Sequence, residues 1–265
     1  MALRMTTPIH VPSHFSASQI NLARDDMALY GITYGLRVKG NMSLQAARGI
    51  GTEDGVAYGL KNPNAEIEEC IDIGLQSFNE KTAFTALGME LRQRQRDVLA
   101  GYETSRTLYP GCVRVGIEAL RPFGPPTGHG EKVEVSLEGI SVPFIGYKDF
   151  SYAELGYSVD LKTTERMPSK IINDHKLQMA IYNKASNNQR QRIAYCSPKE
   201  AVIFDLSQDD AREAILEATH VAKILLERIN AASTWEEFIR SEIPDFTSFR
   251  WHESARQKAV ELFGF

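Results

Sequence analysis

The sequence predicts an α/β fold: a mixed central β-sheet flanked by helices, with a helical N-terminal half. Three observations predict it. Apolar residues recur at helical spacing up to about Leu108, the texture changes at Pro110, and beyond it short stretches of period-two alternation are followed by amphipathic helical segments.

Taken in order, Ile20, Leu22, Ala23, Met27 and Tyr30 predict a first helix running to about Tyr30, capped by Ser16 or Ser18. A second helix is predicted over Leu44 to Leu60. Gly49, Gly51 and Gly55 weaken it by up to about 1 kcal/mol each, which points to close packing or to backbone approach to a ligand. Ile67, Ile71, Leu75 and Phe78, then Leu87, Leu91 and Val98, continue the helical pattern, with Arg92, Arg94 and Arg96 among the polar positions. Phe123 to Gly130 reads as a loop between two β-like stretches. Val133, Val135 and Leu137, then Ile140 to Phe150, then Gly156 to Thr163 read as three strands of an antiparallel meander. Pro168 opens a helix to about Ala185. Ile193 to Cys196 and Ala201 to Phe204 form a strand pair, Asp209 to Ile229 a long helix, and from Thr234 the chain is helical again, with Ser233 and Glu236 as a capping box.

Length and composition fit one elaborated domain over 1–265, with a mainly helical part (1–109), a sheet carrying the chemistry (110–206) and C-terminal helices (207–265). No apolar run approaches the roughly 18 residues of a membrane span, and Met1 to Pro12 lacks the basic flank and apolar block of a secretion signal. A soluble, cytoplasmic protein without membrane contact is expected. Cys70, Cys112 and Cys196 are scattered with no C-x-x-C pair, so they read as reduced packing residues, not as a zinc or iron–sulfur site. A net charge of −4 excludes a protein that coats nucleic acid through overall basicity; any such contact must be a local patch, for which Arg92, Arg94, Arg96, Lys170, Lys184, Arg190 and Arg192 are candidates.

Asp160-Leu161-Lys162 lies in a predicted strand, where residues i and i+2 project from one face, so carboxylate and ammonium share one space. A D-x-K triplet is expected about once in a chain of this length. A second copy, Asp174-His175-Lys176, lies in a predicted helix, where i and i+2 diverge by about 200°. Asp149, ending the strand before Asp160, raises the first copy above chance. Two neighbouring carboxylates repel unless a cation sits between them, and a hard divalent ion resolves the conflict. Mg²⁺ or Mn²⁺ there polarises a phosphoryl oxygen and activates water, while Lys162 stabilises developing charge, so the chemistry implied is phosphodiester hydrolysis. The competing explanation is an ordinary surface ion pair worth ~0–1 kcal/mol. Ile171, His175, Gln178 and Tyr182 share a face of the following helix, where Gln178 and Tyr182 can hydrogen-bond a phosphate, a base or Lys162, and His175 reads as packing. Tyr147, Phe150, Tyr152 and Tyr157 could stack bases, but aromatic residues in strands are more often core, and they are not counted as site residues.

Gly146-x-x-Asp149, Val159-Asp160-Leu161-Lys162-Thr163-Thr164 and Gln178-x-x-x-Tyr182 together resemble, in order and spacing, the RecB-like branch of the PD-(D/E)XK nuclease superfamily, including exonucleases of phage and bacterial recombination. Ser16-Ala17-Ser18 and Arg48-Gly49-Ile50-Gly51-Thr52-Glu53 resemble its early serine and glycine-containing helical elements, so the likeness touches residues 16 to 182. The resemblance implies a restriction-endonuclease-like core. It implies metal ligation by Glu53, Asp149, Asp160 and the Leu161 carbonyl, catalysis by Asp149, Asp160 and Lys162, and positioning of DNA or of the active site by Gln178 and Tyr182. Many members carry His where this chain has Glu53; a carboxylate suits Mg²⁺ or Mn²⁺ as well, although Asp54 beside it competes for the role. The expected cofactor is Mg²⁺ or Mn²⁺ without an iron–sulfur cluster. The expected partners are DNA and a single-strand annealing or helicase protein.

The activity implied is a metal-dependent deoxyribonuclease, an exonuclease acting on DNA ends in recombination or repair. A structure-specific or nicking endonuclease of the same fold would use the same residues. A non-catalytic DNA-binding protein would have little reason to keep a costly acidic pair intact. A glycosidase with paired carboxylates is disfavoured by the adjacent Lys162 and the missing aromatic sugar platform.

Overall fold

The computed structural model describes residues 7–90, 95–187 and 189–264, with the backbone alone described for 83–90 and 95–100. Helix α1 (Ala17–Asp25) begins at a capping box in which Gln19 N–H donates to Ser16 Oγ at 3.3 Å and Ser16 N–H donates to Gln19 Oε1 at 2.8 Å, so the cap is Ser16. The helix expected to continue to Tyr30 breaks at Asp26. Its extended backbone turns the carboxylate to cap α2 (Met27–Tyr30) through Leu29 N–H, and Asp245 N–H and Trp251 Nε1–H donate to its other oxygen. Three donors replace the hydration that burial removes. A π-helical turn follows at Gly31–Gly35.

Helices α3 (Leu44–Lys61), α4 (Ile67–Glu90) and α5 (Gln95–Leu120) pack together, and the glycines explain how. A Cβ on Gly51 would lie 2.7 Å from the Gly74 carbonyl oxygen, one on Gly74 2.1 Å from that of Gly51, and one on Gly55 2.7 Å from that of Cys70. Of the two explanations for these glycines, close packing is the one observed. The change of texture at Pro110 does not end the helix: α5 runs through Pro110 to Leu120. Proline in a helix interior costs about 3 kcal/mol, which the burial of Tyr109, Val113, Ile117 and Leu120 offsets. The loop expected at 123–130 therefore follows a helix, closed by a 3₁₀ turn at Arg121–Phe123, and not a strand, and it is shorter than expected, because residues 128–130 already belong to a strand. Leu91, Arg92 and Arg94 and the side chains of Leu87, Arg96 and Val98 lie outside the described residues.

The sheet has the order β1 (Gly128–Val135), β2 (Phe144–Tyr152), β3 (Tyr157–Thr163), β4 (Arg190–Cys196), β5 (Ala201–Asp205). The first three strands form the expected antiparallel meander, β3 and β4 run parallel, and β5 returns antiparallel. Helix α6 (Asn173–Ala185) makes the β3–β4 crossover; it starts at Asn173 and not at Pro168, because Ile172 is extended and spends its N–H on the Tyr195 hydroxyl. Helices α7 (Gln208–Ala231), α8 (Trp235–Arg240) and α9 (Glu253–Phe263) complete the chain. The expected Ser233–Glu236 capping box does not form, and Thr234 is the cap. Glu237 N–H donates to Thr234 Oγ1 and Ser233 N–H to Glu237 Oε2, while Glu236 accepts from Thr7. Mixed sheet and flanking helices make this an α/β fold, as expected. Among the described residues no helix is long and apolar enough to cross a membrane.

The alternation of β3 sets the chemistry apart from the core. Tyr157, Val159 and Leu161 pack with α3, α4 and α5, whereas Ser158, Asp160 and Lys162 face the other way, towards α6.

Candidate active site

The site sits where the sheet forks. The β2–β3 ladder pairs Tyr152 with Tyr157, Ser151 with Ser158 and Phe150 with Val159, so one more step along the register puts Asp149 opposite Asp160. At that step Leu161 N–H donates to Asp149 Oδ2 at 2.7 Å. Beyond it β2 pairs with β1 and, at Phe144, makes an isolated bridge to Phe15, whereas β3 pairs with β4. Gly146 has a specific reason here: a Cβ would lie 2.4 Å from Tyr182 Cε1, so only glycine lets that ring lie against β2.

Asp160 is 3% exposed. Its Oδ1 accepts from Gln178 Nε2 at 3.0 Å, and the same amide donates to the Tyr182 hydroxyl at 2.6 Å. Lys162 Nζ lies 2.5 Å from Asp160 Oδ2 as a close ion pair, and among the described residues no other donor reaches that enclosed oxygen. Burial, then the charge of Asp160 and more weakly that of Glu53, hold the Asp149 carboxyl well above the usual carboxylate range against the opposing pull of Lys162. Burial acts to discharge Lys162, but Asp160 and Asp149 outweigh it and raise the ammonium above its ordinary value. Burial also raises the Tyr182 phenol, helped by Asp160.

Helix α3 brings Glu53 towards this group from the other side of the sheet. Its carboxylate accepts from His129 Nε2 at 3.2 Å; Lys61 Nζ stands 3.4 Å from His129 Nδ1, and the ring stacks on Phe150 with centroids 5.3 Å apart. Asp54 turns away to α4, where Ser77 Oγ donates to it at 2.5 Å. Of the two adjacent acids, then, Glu53 is the one whose charge reaches Asp149. His129 escaped sequence reasoning because the glycine- and proline-rich run around it reads as loop; its cross-strand position opposite Phe150 is visible only in the register.

Lys162, Gln178 and Tyr182 line a cleft of about 660 Å³ together with Ser16, Ser18, Lys132, Tyr147, His175 and Arg250. Tyr147 is 58% exposed there, while Phe150, Tyr152 and Tyr157 are buried in the α3–α5 core. Lys170, Lys184, Arg190 and Arg192 do not line the cleft; Arg190 and Arg192 both pair with Asp205, and Arg192 lies over the Tyr157 ring. Cys70, Cys112 and Cys196 are free and buried, and burial pushes the Cys112 thiol up to about 11.

Among the described residues no three of His, Cys, Asp and Glu are drawn together as a ready-made metal cage. The carboxylates are instead turned onto Lys162, Gln178, His129 and Leu161 N–H. The donor set nevertheless fits a hard divalent cation: all its ligating atoms are oxygens, two carboxylates face each other across the fork, and among the described residues one buried Asp160 oxygen is met by the Lys162 ammonium alone.

The sequence matches no family model and no curated protein. Among solved structures, the chain is similar to a protein of Eubacterium rectale named a putative exonuclease, with a TM-score of 0.52 and 14% identity over 92% of this chain and 88% of the other. A second structure, SSO0001, aligns with a TM-score of 0.31 and 10% identity over 75% of this chain and 84% of the other, too weakly to carry an argument. The first likeness shows a shared fold.

Proposed function

We propose that this chain is a Mg²⁺- or Mn²⁺-dependent deoxyribonuclease of the RecB-like PD-(D/E)XK kind, and that it acts as an exonuclease on DNA ends. The observation that carries the reading is the pairing of Asp149 with Asp160 at the fork, where Lys162 is the only donor among the described residues to reach one buried Asp160 oxygen. Repulsion within that group is compensated by a single ammonium. Asp149, Asp160, Glu53 and the Leu161 carbonyl would hold a divalent cation, which would supply Lewis-acid polarisation of the phosphodiester. Lys162, kept charged by the two aspartates, faces the cleft and stabilises negative charge as it develops on the phosphoryl oxygens. Gln178 fixes the orientation of Asp160 through Oδ1 and holds Tyr182 in place, so the acidic face keeps its geometry as substrate enters. The preference for an exonuclease leans on the name carried by the Eubacterium rectale protein. DNA recombination or repair, beside an annealing or helicase partner, is the process this reading suggests.

The test compares wild type with Lys162→Ala on end-labelled linear and on circular DNA in Mg²⁺, Mn²⁺ and EDTA. Loss of linear DNA only, dependent on metal and abolished by the substitution, is expected. Cutting of circles would make the enzyme an endonuclease, and equal inactivity of both proteins would end the catalytic reading.

A further inference from the structure

We propose that His175 is a substrate-contacting residue: its Nε2–H donates a hydrogen bond to a non-bridging phosphate oxygen of the DNA strand bound in the cleft. The inference rests on the phosphodiesterase reading above and adds a residue to it. Three observations carry it. His175 Nδ1 lies 2.7 Å from the Tyr195 hydroxyl, and the same hydroxyl oxygen accepts the Ile172 N–H at 3.1 Å. Tyr195 is 1% exposed, and no other acceptor for its proton occurs among the described residues. The hydroxyl proton therefore goes to Nδ1, which makes Nδ1 an acceptor and leaves the ring proton on Nε2.

The second observation is direction. The Nδ1 edge faces the buried Tyr195, so the opposite edge looks into the cleft that Lys162, Gln178 and Tyr182 also line. No protein partner for Nε2 is found among the described residues. The third is charge. Burial, and then the neighbouring Lys162, hold the imidazole below its ordinary pKa, so near neutral pH the ring is a neutral donor of fixed tautomer. A purely packing histidine on this helix face would not need its tautomer fixed by a buried tyrosine that is itself oriented by a main-chain N–H. A donor aimed at an anion does, since a wrong tautomer would turn a lone pair towards the phosphate.

The experiment measures kcat and KM on linear DNA for wild type, His175→Ala, His175→Gln and Tyr195→Phe, with melting temperatures as a check on folding. It repeats the assay on oligonucleotides carrying a single methylphosphonate next to the scissile bond. His175→Ala is expected to lose about 10- to 100-fold in kcat/KM. His175→Gln, whose amide N–H reaches the Nε2 position, should recover most of that loss. The penalties of His175→Ala and of the methylphosphonate at the contacted phosphate should not multiply. Should His175→Ala not fold, the Gln variant and the phosphonate series decide. Wild-type kcat/KM in His175→Ala, equal losses for Ala and Gln, or fully multiplicative penalties in a protein that does cleave DNA would overturn the inference alone. A wild type that cleaves no DNA in any metal overturns the nuclease reading, and this inference with it.

Discussion

The chain carries Asp-x-Lys twice, and the two copies end up doing opposite things. In β3, Asp160 and Lys162 project from one face and meet at 2.5 Å, walled in beside a second carboxylate. In α6, Asp174 and Lys176 diverge. Asp174 is held by Arg24 and Arg250 at 2.7 and 2.6 Å, and Lys176 pairs with Asp210 on α7. Every charge of the helical copy finds an external opposite charge, so that copy ties α1, α6, α7 and the C-terminal segment together. The strand copy has too few positive charges for its acids. Identical spacing becomes scaffold or candidate catalyst according to the period of the backbone that presents it.

That contrast can be broken most directly by exchanging effects. Lys162→Ala and Asp160→Ala are each expected to lower the rate of DNA hydrolysis by about a thousandfold or more, whereas Lys176→Ala should stay within about twofold and show its effect in melting temperature. A comparable loss of rate in Lys176→Ala would mean the two copies are not functionally distinct. Next in size, saturating Mn²⁺ at about 100 times its Kd should stabilise the wild type by about 2.7 kcal/mol and Asp160→Asn scarcely at all; an unchanged thermal shift in the variant would remove Asp160 from the ligand set. Glu53→Gln should cost about 10- to 100-fold in activity and Asp54→Asn about twofold or less, which kinetics on the two variants will read.

The smaller effects concern stability without metal. Asp149→Asn removes a like charge from beside Asp160 while keeping an oxygen for Leu161 N–H, so in EDTA it should raise stability by about 1 kcal/mol, measured by denaturant unfolding; a loss would contradict the repulsion. Asp174 has the opposite sign. Burial raises its carboxyl, but Arg24 and Arg250 outweigh that and hold it below the usual range. Its contribution is therefore present above the unfolded-state value near 4 and lost as pH falls through the lower folded value. For this half-buried group Asp174→Asn should cost about 1 kcal/mol at pH 7 and progressively less on acidification; a difference that grows towards pH 3 would refute the assignment.

Much of this was legible in the sequence because it is written in local periods. The meander, the strand placing Asp160 with Lys162, and the face shared by Gln178 and Tyr182 follow from periods of two and 3.6 residues. What was not legible depends on partners far along the chain. Pro110 does not stop α5 because a buried stripe on both sides of it holds the helix. Asp26 interrupts the first helix because Asp245 and Trp251, more than two hundred residues later, donate to it. His129 reads as loop until its register against Phe150 is known, and His175 reads as packing until the Tyr195 hydroxyl, with the Ile172 N–H on it, is found beside its Nδ1.

Gly51, Gly55 and Gly74 carry a consequence for inheritance. None bears a functional group, yet α3 can lie against α4 at this depth only while all three lack a side chain, and α3 is the helix that carries Glu53. In a library of random substitutions scored for activity, alanine at Gly74 should appear among the null variants beside changes at the acids themselves. The distance between carboxylates is thus guarded by positions whose chemistry is blank, and a lineage can lose the reaction there without altering a single group that takes part in it.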